Sequence, residues 1–285
     1  MTSESPLQIC FLTGTTQIAD WMVESLRQAA LKANVEIPLI VHATEEEGTV
    51  RSDTTSRSID ECDHSNVSGQ VGKYWGVGTQ YVKDAIKRDP QTYTSLTDIE
   101  WLASADQIQC KPEPAENLGV LIPSDVIETI ADTCDVVVHF EVGILQGDIL
   151  TRPKHGVLSY HHGDIRQYRG SPAGFWEFLH DSPRGGVTLQ RLTPELDAGY
   201  IIEFESIDLK DAKTWAETRQ RLFSSSPEVL VTGLRNIQDP SFNPTSVPED
   251  QLGTLYSMSE ITPRVQVAYL LKEIRGLAGK HEWFR

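Results

Sequence analysis

Short apolar runs alternate with segments of helical spacing along most of the chain. Residues 7–12 and 37–41 are apolar runs of strand length, and residues 19–32 between them repeat apolar side chains at helical spacing. Residues 13–16 supply hydroxyl groups suited to cap that helix. A strand, a helix and a second strand in this order favour a parallel sheet.

The same alternation returns in the second half of the chain. It predicts strands at 107–110, 135–140, 156–160, 186–192 and 200–204, and helices at 123–131, 174–179, 215–222 with a continuation at 227–234, and 265–274. A turn and a short helix are expected between residues 143 and 150. The pattern predicts an α/β fold: a Rossmann-like, mainly parallel sheet flanked by helices, with a small C-terminal appendage. The α/β domain is expected over residues 1–237, and a linker with a helical appendage over residues 238–285.

An inserted region is predicted at residues 43–106. Its first part, residues 44–68, is polar, charged and poor in residues that could build a core, so we expect an exposed insertion. Residues 74–102 regain aromatic side chains and helical spacing, and predict helices that pack against the main domain.

Composition narrows the class of protein. The chain has 285 residues, 39% of them hydrophobic and 23% charged, no apolar run of membrane-spanning length and no signal pattern at its start, so we expect a cytoplasmic protein without membrane contact. The formal charge of −16 argues against nucleic acid as a partner, although a local basic patch could still contact a tRNA or a phosphate. Four scattered cysteines without a paired motif predict reduced thiols.

Polar side chains concentrate directly after one predicted buried strand. Residues 159–170 include two adjacent histidines with Asp164 and Arg166 close by. In open α/β sheets, ligands bind beyond the carboxyl ends of the strands, so this segment is a candidate site. Asp197 lies in a loop between two predicted strands, and taken alone it would be read as a turn residue that bonds its own backbone.

Several motifs together resemble the core signature of the formyltransferase family. They are Gly156-Val-Leu-Ser-Tyr-His161, Tyr168-Arg-Gly170, Gly186-Val-Thr-Leu189 and Leu196-Asp-Ala-Gly-Tyr-Ile-Ile202, preceded by Asp135-Val-Val-Val138 and Gly143-Ile-Leu145. That family includes methionyl-tRNA, glycinamide ribonucleotide and amino-sugar formyltransferases, and the 10-formyltetrahydrofolate hydrolases. The resemblance covers residues 7–42 and 108–234.

The resemblance implies a catalytic centre at His161 and Asp197, with Ser159 where the family has an asparagine. Formyl transfer to an amine passes through a tetrahedral oxyanion, which preorganised donors stabilise, while a carboxylate orients the histidine or relays a proton. Serine has a shorter side chain and a single donor. Three explanations stay open: an altered geometry at Ser159, replacement by water or by His162, or weak catalysis.

The resemblance also implies where the substrates bind. The donor, 10-formyltetrahydrofolate, would contact one loop at Gly143, Ile144 and Leu145 and a second loop at Leu192, Leu196 and Gly199. The acceptor would meet Gly14, Thr15, His162 and Arg169. The loop at Gly14 has a single glycine and is a poor phosphate cradle, and little chain remains for an RNA-binding domain. The expected acceptor is therefore a small metabolite amine or an amino sugar, and a homodimer stays open as the assembly.

Three rival hypotheses remain. The chain could be a 10-formyltetrahydrofolate hydrolase, or a non-catalytic folate-binding relative, for which the serine departure is the main support. A metal hydrolase would use His161, His162 and Asp164 as ligands, but adjacent histidines on an extended segment point to opposite faces. Residues 60–64 could also bind a metal, although a solvated acidic loop is the expected alternative, so no metal is predicted.

Overall fold

A computed structural model describes residues 5–44, 91–116 and 118–281. The strands, in chain order, are β1 (Leu7–Thr13), β2 (Gln17–Ala19), β3 (Val35–Ala43), β4 (Tyr93–Ser95), β5 (Asp106–Cys110), β6 (Glu113–Pro114), β7 (Val120–Leu121), β8 (Val136–Phe140), β9 (Leu145–Gln146), β10 (Val157–His161), β11 (Tyr168–Gly170), β12 (Arg184–Arg191), β13 (Tyr200–Asp208) and β14 (Thr254–Tyr256). The α-helices are α1 (Asp20–Lys32), α2 (Ser124–Thr133), α3 (Phe175–Leu179), α4 (Trp215–Gln238) and α5 (Pro263–His281).

The central sheet has seven strands in the order β13-β12-β10-β8-β1-β3-β5. The five strands from β10 to β5 are mutually parallel, and β12 and β13 are added by antiparallel pairing. The predicted α/β fold with a mainly parallel sheet is therefore confirmed.

Both faces of the sheet are covered, because alternate side chains of each buried strand point to opposite sides. On one face, Val136 and Val138 of β8 join a core cluster with residues of α1 and α4. On the other face, Val137 joins a cluster with residues of α2. A strand buried on both faces reads as a continuous β-branched run, as the sequence of β8 does.

Two local predictions are wrong. The hydroxyl groups of Thr13 and Thr15 bond their own loop and do not cap α1, because β2 separates that loop from the helix. Within the predicted helical stretch 74–102, residues 93–95 form β4, which pairs with β2, and two 3-10 turns follow. Serine, threonine and aspartate there compete for backbone hydrogen bonds and disfavour an α-helix. The helix predicted at 215–222 with its continuation at 227–234 is confirmed as a single helix, α4, which runs through Pro227.

The C-terminal part is tied to the main sheet. Thr245, in the predicted linker, exchanges two backbone hydrogen bonds with Ile201 of β13, at 2.8 and 3.1 Å. Further on, β14 pairs with β11 in parallel. The last helix, α5, is longer than the predicted 265–274. Across the described ranges, no helix combines the length and apolarity that a membrane span needs.

Most of the predicted insertion lies outside the described residues. This holds for residues 45–90, which include the acidic segment 60–64 and the first part of the predicted helical stretch. Of the four cysteines, Cys10, Cys110 and Cys134 are buried free thiols, as the scattered spacing predicted.

Candidate active site

Three neighbouring parallel strands end at one edge of the sheet. Thr13 ends β1, Phe140 ends β8 and His161 ends β10. Because the strands are parallel, the residues that follow them gather at this edge, where open α/β sheets bind ligands.

His161 is a buried side chain whose ring is fixed at one nitrogen. Its Nε2 lies 2.8 Å from the carbonyl oxygen of Tyr168, which can only accept, so Nε2 is the protonated donor. Gly163 makes room for the ring, since a Cβ there would lie 2.6 Å from Nε2. The other nitrogen, Nδ1, is thereby directed toward Asp197.

Asp197 and His161 are brought together by the fold. Nδ1 of His161 lies 3.6 Å from Oδ1 of Asp197, and only 9% and 15% of the two side chains are exposed. This separation is longer than a hydrogen bond. Nδ1 is therefore not committed to Asp197. If the ring carries a proton at Nδ1, it can donate a hydrogen bond to an oxygen atom of a substrate beside the pair.

The Asp197 carboxylate is held by two groups from other segments. Oδ2 accepts the backbone N–H of Gly170 at 2.7 Å, and Oδ1 accepts the Nε2 amide of Gln190 at 3.3 Å. Gln190 also accepts the N–H of Gly199 at 3.1 Å, so its side chain amide is bonded to the loop at both Asp197 and Gly199. Asp197 itself has φ +46°, a conformation that aspartate tolerates better than most residues. Its carboxylate thus bonds groups from other segments, and not its own backbone as a turn residue would.

A stability prediction follows from Gly170. Its φ is +83°, and an added Cβ would collide with the carbonyl oxygen of Tyr256 in β14. We expect Gly170→Ala to lower the free energy of unfolding by about 1–3 kcal/mol, because a left-handed non-glycine residue is strained and β11 must shift. Urea titration followed by circular dichroism measures this.

The matched control is Gly279→Ala in α5, where φ is not positive and a Cβ would meet nothing within 4 Å. That change should leave stability unchanged or raise it by up to about 1 kcal/mol, since alanine is the better helix former. If the two substitutions changed the free energy of unfolding equally, the expected strain of a non-glycine residue at position 170 would be contradicted.

His162 points to the opposite face of the sheet from His161. Its ring packs edge-on against Trp21 and Phe223, with centroids 4.9 and 4.3 Å away, and its Nε2 bonds Ser226 Oγ at 2.9 Å. Burial lowers its pKa to about 3, so it is neutral at neutral pH. The two histidines therefore have separate environments. Among residues 5–44, 91–116 and 118–281, no three His, Cys, Asp or Glu side chains are grouped to hold a metal ion.

Ser159 has a neighbour that the sequence interpretation missed. Its Oγ lies 3.2 Å from Nδ1 of His139, the residue directly opposite it on β8. Gln190 on β12 is the opposite neighbour on the other side. The available sequence signal was the polarity of His139 itself, two positions after Val137 in a strand that is otherwise apolar.

Three further polar residues of the segment 159–170 serve the loop itself. Asp164 binds Arg166 Nε at 2.7 Å and also accepts the Arg166 backbone N–H at 3.0 Å. Burial opposes this charge, but the bonds from Arg166 outweigh it and lower the pKa of Asp164. Arg169 Nε donates to Gly253 O at 2.8 Å, and its Nη1 lies 3.4 Å from Leu196 O. These side chains hold the loops that surround the site.

The two loops predicted to hold folate lie side by side. Gln146 Nε2 donates to Pro194 O at 3.2 Å and joins them. Leu145 is buried, and Leu192 packs against the same core cluster. Gly143 is exposed with φ +89°. The remaining members of this set are placed as follows: Ile144 is half-buried, Leu196 is exposed, and Gly199 is buried where the chain crosses Arg191 O.

The predicted acceptor loop is closely packed on the end of β8. The Gly14 N–H donates to Phe140 O at 3.3 Å, and a Cβ on Gly14 would collide with Glu141 O. The Thr15 N–H bonds Thr13 Oγ1 at 3.2 Å. Both N–H groups are therefore engaged within the chain, which does not favour a phosphate cradle here.

Comparison with known proteins gives the following similarities. No family model matches the chain. Methionyl-tRNA formyltransferase from Listeria monocytogenes is 28% identical over 128 residues, which are 45% of this chain and 40% of that protein, so the match spans less than half of the relative.

Solved structures match over more of the chain. An N-formyltransferase from Helicobacter canadensis, in complex with folinic acid and dTDP-3-aminofucose, has a TM-score of 0.54 at 12% identity and covers 90% of this chain and 72% of its own. A formyltetrahydrofolate deformylase from Pseudomonas syringae has a TM-score of 0.53 at 14% identity, covering 86% and 67%. The fold is that of the formyltransferases, as the sequence motifs predicted.

Proposed function

We propose that this chain, which has the formyltransferase fold, transfers a formyl group from 10-formyltetrahydrofolate to the amine of a small metabolite or an amino sugar. The observation that supports this most strongly is the 3.6 Å approach of His161 Nδ1 and Asp197 Oδ1 at the carboxyl edge of the sheet. An imidazole and a carboxylate in this arrangement suit attack by an amine on an acyl carbon.

The chain offers groups that fit the folate donor, which supplies the activated formyl group. Leu145 and Leu192, one from each bridged loop, contribute to the same apolar core cluster. Apolar side chains beside the exposed backbone of Gly143 suit a flat ring that hydrogen-bonds along its edge. The site would thus hold the ring of the donor beside His161 and Asp197.

His161 would act as the donor to the developing oxyanion. Since the Nε2 proton is donated to Tyr168 O, Nδ1 is the nitrogen that faces substrate, and it donates only when the ring carries a second proton there. A protonated His161 would place this N–H between Asp197 and the formyl oxygen. One such preorganised donor contributes about a hundredfold to a thousandfold in rate.

Asp197 would accept the proton that the amine loses on attack. Its carboxylate cannot turn away, because Gly170 and Gln190 each donate to one oxygen. Ser159 would complete the centre by donating its hydroxyl proton to the oxyanion. His162 would not take that place, since its Nε2 is bound to Ser226 and its ring is packed against Trp21.

The net charge bears on the acceptor. A formal charge of −16 repels a polyanion such as tRNA, so the partial similarity to methionyl-tRNA formyltransferases does not lead us to propose a tRNA acceptor. A small amine carries no such penalty.

The reaction can be tested with the purified chain and 10-formyltetrahydrofolate. Separate reactions would contain a dTDP-linked amino sugar, glycinamide ribonucleotide, methionyl-tRNA or no acceptor, with tetrahydrofolate followed by absorbance and products by mass spectrometry. We expect tetrahydrofolate release that depends on a small amine and yields its formamide, and that persists after chelation with EDTA.

Other outcomes would replace the proposal with a rival. Formate release in the reaction without acceptor would identify a hydrolase. Folate binding by calorimetry without turnover would identify a non-catalytic relative. Loss of activity in EDTA that Zn²⁺ restores would favour the metal hydrolase.

A further inference from the structure

His139 and Ser159 form a polar pair inside the sheet. They face each other on the adjacent parallel strands β8 and β10, with 3.2 Å between His139 Nδ1 and Ser159 Oγ. Strand alternation places them on the face of Val137 and Val157, beyond those two core residues and toward the carboxyl edge. The pair therefore lies between the apolar core and the candidate site.

The hydrogen bonds around His139 indicate which of its two ring nitrogens carries the proton. Burial lowers its pKa to about 4, so the ring is neutral at neutral pH and carries a single N–H. Its Nε2 is buried and has no hydrogen-bond partner within the described chain. A proton on Nε2 would be an unpaired buried donor, whereas a proton on Nδ1 is donated to Ser159. Orphaned N–H groups are the rarer of the two kinds of unpaired atom in proteins, so the Nδ1 proton is favoured.

The tautomer decides what Ser159 can do. A serine hydroxyl has one proton, and if His139 Nδ1 were unprotonated, that proton would be used to bond it. When Nδ1–H donates to Oγ instead, the hydroxyl proton is free to point out of the sheet. Ser159 then offers a donor at the same edge as His161.

We propose that His139 is a positioning residue that donates its Nδ1 proton to Ser159 and so releases the serine hydroxyl to donate to the oxyanion of the formyl-transfer reaction. The proposal rests on the proposed function. It explains how a serine, with a single donor, serves at the position where the formyltransferase signature has an asparagine. His139 acts through Ser159 and does not touch substrate.

A double-mutant cycle tests whether His139 acts through Ser159. We expect Ser159→Ala to lower kcat about a hundredfold, as loss of an oxyanion donor does, and His139→Leu to lower it about tenfold, with KM nearly unchanged in both. Because His139 is proposed to affect the reaction through Ser159 alone, adding His139→Leu to Ser159→Ala should cause no further loss of kcat. A loss of kcat in the double variant equal to the product of the two single losses would overturn the proposal.

Conservative variants separate positioning from packing. His139→Asn places an amide N–H near the Nδ1 position and should retain most of kcat. In a Ser159→Asn background the side chain has its own amide donors, so His139→Leu should have little effect there. The matched control is His42→Leu, which removes another buried strand histidine with an unpartnered ring nitrogen, from β3, and should leave kcat unchanged. An equal loss in His42→Leu would assign the effect to packing.

Histidine-labelled NMR reads the tautomer without turnover. In protein carrying ¹⁵N-histidine, the resonances that disappear in His139→Asn should report a proton on Nδ1, and Ser159→Ala should shift them. A proton on Nε2 would overturn the role of His139 even in an active protein. Absence of any formyl transfer by the unaltered protein would instead overturn the proposed function, whatever the tautomer.

Discussion

Replacing His161 with alanine is expected to lower kcat about a thousandfold or more and to leave KM for the folate donor within a few-fold. The imidazole is proposed to bond the oxygen on which charge develops, so its loss affects the transition state more than the ground state. The 3.6 Å position of Nδ1 beside Asp197 and the bond from Nε2 to Tyr168 fix the imidazole of His161 in this place. Steady-state rates of tetrahydrofolate formation measure this.

Two controls accompany that experiment. His155→Ala removes a histidine that borders a separate cavity with Pro240 and Phe242, and it should retain the full rate. Circular dichroism and urea titration of His161→Ala should show a folded protein, because the carbonyl oxygen of Tyr168 left without its donor costs about 1–3 kcal/mol, less than the total stability of a typical domain. A folded His161→Ala variant with undiminished kcat would remove the proposed mechanism.

Asp197→Asn should lower kcat about a hundredfold or more with little change in fold. The amide oxygen can still accept the Gly170 N–H, so the loop should keep its place, while the charge and the proton acceptor are lost. The pair should behave as a unit, so that His161→Ala combined with Asp197→Asn is scarcely worse than the more damaging single change.

A neighbouring carboxylate provides the comparison for Asp197. Glu195 lies exposed in the same loop, and Glu195→Gln removes the same charge without touching the Gly170 contact. It should retain nearly full kcat. If both substitutions reduced the rate equally, the loss would reflect the general charge of the loop, and Asp197 would have no specific part in proton transfer.

The main elements were predictable because local patterns specify them. The β-branched run of β8 and the apolar strand β1 identify buried parallel strands, and the helical spacing after residue 19 identifies α1. The pairing of β2 with β4 was not predictable, since it joins Ile18 to Thr94, which lies in a stretch where the spacing of apolar residues predicted a helix. Its stability depends on contacts distant in the chain.

The candidate site was predictable in part. His161 and Asp197 were found through motifs, and the fold brings them together. His139 and Gln190 were missed, because a lone polar residue in a strand is ordinarily a satisfied core residue or a surface residue, and only strand register places both beside Ser159. Register depends on the whole sheet, so single-residue patterns do not reveal it.

The pairing of β11 with β14 bears on how the protein is made. Gly170 presents its N–H to Asp197 from β11, and Arg169 of the same strand donates to Gly253, which is synthesised 84 positions later. Synthesis proceeds from the amino end, so β14 leaves the ribosome after every strand of the central sheet. A nascent chain that has already formed the central sheet would still lack the outer strand that clamps this loop. The candidate site would therefore be complete only after β14 has been synthesised, later than every strand of the central sheet.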